Sequence, residues 1–252
     1  MSDQSEKNET NRPFFPAGVI GLVVVAMSIA LMAVFPSRLP EMPEGFVTPV
    51  IAFEFVRTMD DVKLIFGPTD SPQRREIVKA MDRGNKLDYV YMILYAGFLA
   101  CFSLTCARVT HRKLFYIPVC LAGFVLTADA LENIQLLGIT ANLETMNITH
   151  FLVRLHWLTW AKWGGLSLIF LFLIPYFIKE GLYALFISAA AVICAILAAA
   201  AFMHRSALNE MFGGMTAIMF VLIIIYSFVH KLPERSIVKV DRVHEATPGL
   251  NA

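Results

Sequence analysis

Charge is scarce in this sequence. Asp, Glu, Lys and Arg make up 16% of its 252 residues, while 57% are hydrophobic. A soluble domain carries about 25% charged residues. With fewer, a soluble fold of this length could not coat so much apolar surface. The deficit excludes an ordinary soluble enzyme or binding module. A basic domain or stripe is also missing, so nucleic acid is not expected as a partner; the formal net charge of +1 is uninformative.

Catalytic and metal-binding signatures are missing as well. The histidines include no H-E-x-x-H or H-x-x-x-H spacing; His150 and His156 are six apart. That argues against a zinc hydrolase. No G-x-S-x-G, P-loop or dinucleotide fingerprint occurs, and no metal or cofactor is expected. The four cysteines, Cys101, Cys106, Cys120 and Cys194, all lie in apolar runs without a C-x-x-C pair. They read as small packing residues rather than a disulfide framework.

What the chain does have is long apolar runs. A helix spanning a bilayer needs about 20 mostly apolar residues, and six stretches qualify: Phe14–Phe35, Asp88–Cys106, Leu114–Leu137, Trp157–Phe177, Tyr183–Met203 and Met211–Val229. The fold class expected is an all-α integral membrane protein, multi-pass, with six transmembrane helices in one domain over residues 14–230. Polar tails at 1–13 and 231–252 flank it. The first run follows a mixed-charge tail and precedes no clear A-x-A site, so it reads as a retained signal anchor. Ala189–Ala191 and Ala198–Ala201 offer close helix contact. Met211, Met215 and Met219, at i+4 spacing, read as packing rather than copper ligands.

One connection is long, spanning residues 36–87. Pro36, Pro40, Pro43 and Pro49 preclude continuous helix at its start. Val50–Val56 is apolar with two charges and too short to span, so it is expected as an amphipathic segment lying on or dipping into the membrane. After Gly67-Pro68, Ser71-Pro72 resembles a helix start, with Ser as N-cap and Pro at the first turn. A polar helix is expected to run from there into the second span, with Gly84 as a point of interruption. No internal repeat relates the first three spans to the last three, which weakens an inverted-repeat transporter.

Lys and Arg in the short flanks set orientation. Arg108, Arg112, Lys113, Lys179 and the tails lie on one side, and Arg154 and Arg205 on the other. The expectation is both termini in the cytoplasm, in a cell or inner membrane. The long loop carries eight basic residues on the opposite side and pulls the other way. The sequon Asn147-Ile148-Thr149 adds almost nothing.

The chemistry concentrates in the third span. Asp129, Glu132 and Asn133 stand at i, i+3 and i+4, on one helix face. A carboxylate at the bilayer centre costs roughly 2.5–3.5 kcal/mol on insertion scales, so this face should turn to the bundle interior or to water. The alternative is a span ending near Ala128, leaving these residues at a wet helix end. Lys162 in the fourth span falls at a similar depth. It either pairs with Asp129 or Glu132, or snorkels to the interface within an aromatic belt of Trp157, Trp160 and Trp163. Asp88, Glu54 and Arg57 collect on the same side. Glu54 and Arg57 are expected to pair with each other at i, i+3; otherwise their segment folds over the bundle and lids the acidic face.

Three functional classes follow. The acidic face could serve a small transporter or channel subunit as an ion or proton site. It could equally be glue in a structural or assembly subunit, or an acid–base pair in a membrane enzyme acting on lipid. The lipid bilayer is the expected partner, with a second copy or another protein as further candidates.

Overall fold

The computed structural model describes residues 12–69 and 71–231. Most of both expected tails, including the basic residues Arg235, Lys239 and Arg242, lies outside these residues. The helices are α1 (Phe15–Val34), α2 (Pro49–Glu54), α3 (Met59–Phe66), α4 (Pro72–Thr110), α5 (Tyr116–Ala141), α6 (Thr149–Phe177), α7 (Leu182–Met203) and α8 (Ala207–Val229). No strand occurs among the described residues. Six of the helices (α1 and α4 to α8) are long and apolar enough to cross a membrane. Their outward faces carry large exposed apolar side chains such as Ile29, Ile93, Phe124, Phe186 and Ile196, which water would not tolerate and lipid does.

The spanning helices form a ring in which each packs on the next: α1 on α4, α4 on α5, and so on to α8, which closes back on α1. Consecutive spans are joined by short turns or by the capped first loop, so neighbours around the ring run antiparallel. The end holding α4's C-terminus is filled by aromatic packing among Phe14, Phe102, Tyr176, Phe177 and Tyr226.

Three spans are longer than their apolar runs. The 39-residue α4 would extend about 58 Å at 1.5 Å per residue, well beyond a hydrocarbon core of about 30 Å. Its polar first turns therefore extend beyond an apolar slab of that thickness. Gly84 does not interrupt it; the ring of Phe35 lies where a Cβ would be. Ser71 precedes the helix in extended conformation, but its side chain makes no capping bond. Helix α5 runs on to Ala141, so the span does not end near Ala128. Helix α6 begins at Thr149, eight residues before the expected Trp157, because Leu152 and Leu155 are buried in the bundle.

The first loop holds a helix with no counterpart in the sequence reading. Thr58 and Asp61 form a reciprocal capping box that starts α3. The segment Phe46–Phe66 then folds over the open end of the ring. Phe46, Phe53, Phe55, Val56, Val62, Ile65 and Phe66 are all buried. The apolar face expected to lie on or dip into the membrane thus turns into the bundle, the placement that the alternative of a lid describes. Seven large side chains at about 1.5–3 kcal/mol each give a gross burial of roughly 10–20 kcal/mol.

This cap is fastened to the turn between α7 and α8. Glu210 accepts the N–H groups of Val47 and Thr48 at 2.9 and 2.8 Å and the Thr48 hydroxyl at 2.7 Å. Arg205 donates to the Phe55 carbonyl at 2.8 Å, pairs with Asp61 at 3.2 Å and lies 4.8 Å from the Phe46 ring centre. Gly45, at φ +84°, sits against the Ser206–Ala207 backbone, where a side chain would strain the turn and collide.

Candidate functional site

Helices α5 and α6 pack antiparallel with Gly165 of α6 against Val125 of α5, where a Cβ would come within 2.5 Å of Val125 Cγ2. That approach brings their polar faces together. Asp129 lies thirteen residues from the start of α5, and Lys162 fifteen from the end of α6. By helical rise these are about 20 and 22 Å from the same end of the bundle, so the depths match.

Lys162 is the centre. Its ammonium lies 2.5 Å from Glu132, 3.1 Å from Glu54 and 3.3 Å from Asp129. Its side chain is 8% exposed and that of Glu132 0%, so this is pairing rather than snorkelling. Trp157 alone of the three tryptophans faces outward. Trp160 is buried, and Trp163 donates its indole N–H to Glu54 at 2.9 Å. Asp129 Oδ1 and Glu132 Oε2 make no directional hydrogen bond; Lys162 holds these two oxygens by charge. The opposite oxygens are directed, Asp129 Oδ2 by the Tyr95 hydroxyl at 2.5 Å and Glu132 Oε1 by Thr159 at 2.6 Å. Thr159 also approaches the Glu54 carbonyl at 3.1 Å, tying the cap to the cluster.

Asp88 and Asn133 form a second layer against α4. Asn133 donates to Asp88 at 2.8 Å and to the Asn85 carbonyl at 3.2 Å. Further toward the loop side, Thr140 donates to Asp82 at 2.6 Å. In the other direction the Tyr89 hydroxyl reaches the Ala130 carbonyl at 3.2 Å.

Of the seven residues singled out from sequence, six converge. Asp129, Glu132, Lys162 and Glu54 touch directly, and Asp88 and Asn133 adjoin them. Arg57 does not take part, and its pairing with Glu54 is corrected. Arg57 is exposed and only its backbone N–H is used, donated to Asp61, because the helix ends at Glu54 and the i, i+3 geometry is lost. Tyr95, Thr159, Trp163 and Asn85 were missed. Tyr95 stands at i+7 from Asp88 and Thr159 at i−3 from Lys162, so helical phase relative to the charged residues is the signal that finds them.

Asp61, in the cap, has its pKa moved by its surroundings. Burial opposes its ionisation. The N–H groups of Arg57 and Thr58, the Arg205 charge and the Thr58 hydroxyl outweigh that and hold its pKa below the ordinary value. On Arg205, burial acts first and lowers the pKa despite Asp61; a guanidinium stays charged regardless. No group of three or more His, Cys, Asp or Glu side chains among the described residues is arranged to hold a metal ion.

Six apolar spans and a polar interior define an integral multi-pass membrane protein. No protein-family model, no curated protein and no solved structure matches the chain.

Proposed function

We propose that the protein is a small proton-handling membrane transporter or channel subunit, with the Lys162 cluster as its intramembrane binding site. One observation carries this reading. Three carboxyl groups (Glu54, Asp129 and Glu132) contact a single ammonium and a fourth, Asp88, adjoins them through Asn133; Asp129, Glu132 and Lys162 are buried, Glu54 and Asp88 half-buried. Fully ionised, they would leave an excess of three negative charges inside the bundle, and burying even one unpaired charge costs several kcal/mol. The cluster as a whole is therefore suited to carry protons. Helix-to-helix glue needs no such excess, since a balanced pair or a hydroxyl serves as well.

Infrared spectroscopy of the reconstituted protein tests the reading. A protonated-carboxyl band is expected at neutral pH, with an amplitude that changes with pH while the protein stays folded. It should lose intensity in Glu132→Gln, Asp129→Asn or Asp88→Asn. Absence of the band, or a band indifferent to all three changes, overturns the assignment. A band that is present but constant with pH supports the second reading, a polar knot that assembles the bundle. That reading draws its support from how completely Tyr95, Thr159, Trp163 and Asn133 enclose the acids.

A further inference from the structure

If the cluster exchanges protons, they must reach it. The cap is the obvious door, and its packing argues against it. Opening would expose the aromatic face of Phe46–Phe66 and break the Arg205, Glu210 and Lys162 fastenings together. A different set of groups leads inward. At the loop-side end of the α4–α5 contact lies a cavity of about 550 Å³, with Arg74, Arg75, Val78, Lys79, Thr140 and Glu144 among its walls. Thr140 hydrogen-bonds Asp82, the first acid of the seam. One helical turn deeper is Asn85, which is 1% exposed and whose buried Nδ2 has no hydrogen-bond partner. Another turn deeper, Asp88 is held by Asn133, and Asp129 follows with Tyr95.

Resting on the proton-binding reading above, we propose that protons reach the Lys162 cluster along the α4–α5 seam, from this cavity past Asp82, Asn85 and Asp88, rather than through the loop cap. Polar groups at successive turns of α4 line the seam, and the Asn85 amide, buried and without a hydrogen-bond partner, stands between the two outer carboxyls. The titratable groups facing Asp88 and Asp129 are Glu54 from α2, Glu132 from α5 and Lys162 from α6, with Tyr89, Tyr91 and Tyr95 from α4 itself. Arg74, Arg75 and Lys79, the last paired with Glu76 at 3.0 Å, stand with Glu144 at the cavity. Each step moves a proton alone: solution in the cavity donates it, a seam carboxylate accepts it, and no electron is transferred.

The test is the rate at which the protonated-carboxyl band shifts when the protein is diluted into D2O. Asn85→Leu should keep the band and slow its exchange by an order of magnitude. A second arm leaves the seam intact: Val78→Cys, with the four native cysteines replaced, is labelled by a bulky maleimide to plug the cavity, and should slow exchange equally. Arg205→Gln, which loosens the cap, should not change the rate. Unaltered exchange in both the Asn85→Leu and the plugged protein overturns the route. So does faster exchange in Arg205→Gln, which would make the cap the door. Absence of the band in the unmodified protein would instead remove the proton-binding reading itself.

Discussion

At the residue scale, Lys162 pairs with more acids than any other cation among the described residues. Lys162→Met strips three acids of their only cation. Breaking one side of a buried pair costs about 3–5 kcal/mol, so chemical unfolding in detergent should show a loss of that size. Adding Glu132→Gln should recover a good part of it, because the removed charge no longer needs compensation; strictly additive losses would mean the two residues are not coupled. Asp61 yields a pH prediction. Its folded pKa lies below the unfolded value of 3.8, so its contribution is fully present above about pH 4 and lost as pH falls through the folded value. Protection of the Phe46–Phe66 amides against hydrogen exchange, corrected for the intrinsic rate at each pH, should fall on acidification below about pH 4, and Asp61→Asn should show that lower protection already at neutral pH. The pairing of Lys162 was half legible from depth alone. Glu54 was misassigned to Arg57 because i, i+3 spacing presumes a helix, and the helix stops at Glu54.

At the scale of elements, one close contact sets the geometry of the cluster. Gly165 lets α6 approach α5 at Val125, and that separation places Lys162 among the carboxyls. Gly165→Leu should force the helices apart and cost about 1–3 kcal/mol from overpacking. The infrared signature of the cluster should change with it, whereas Gly164→Ala, which meets open space, should leave both unaffected. Stability and spectrum measured on the same samples check this. The extra length of α6 was hidden from hydropathy because its outer turns are polar on one side and packed on the other, whereas the Ser71-Pro72 start already marked the run of α4 into its span. Helix α3 was hidden because its signal, a Thr58–Asp61 capping box, lies within a charged stretch only eight residues long.

At the scale of the whole molecule, six antiparallel crossings put the start of α1 and the end of α8 on one side, with the cap and the α5–α6 and α7–α8 turns on the other. Basic residues in the short flanks favour the first side as cytoplasmic. Cysteines at the exposed positions Ser37 and Thr145, in a background lacking native cysteines, should then react with an impermeant thiol reagent added outside intact cells, and one at exposed His111 only after lysis. The reverse pattern would invert the orientation. The number of spans, their approximate limits and the presence of buried acids on α5 could be determined by the sequence alone. Lipid demands about 20 consecutive apolar residues per crossing, and that requirement is written linearly along the chain. Only the tertiary structure decided that Glu54 crosses from the loop to Lys162, that Arg57 stays outside, and that Asn85, Asp88 and Asn133 line one seam. Those outcomes depend on how each helix is rotated about its axis and on how the cap folds, and both are set by packing between segments distant in sequence.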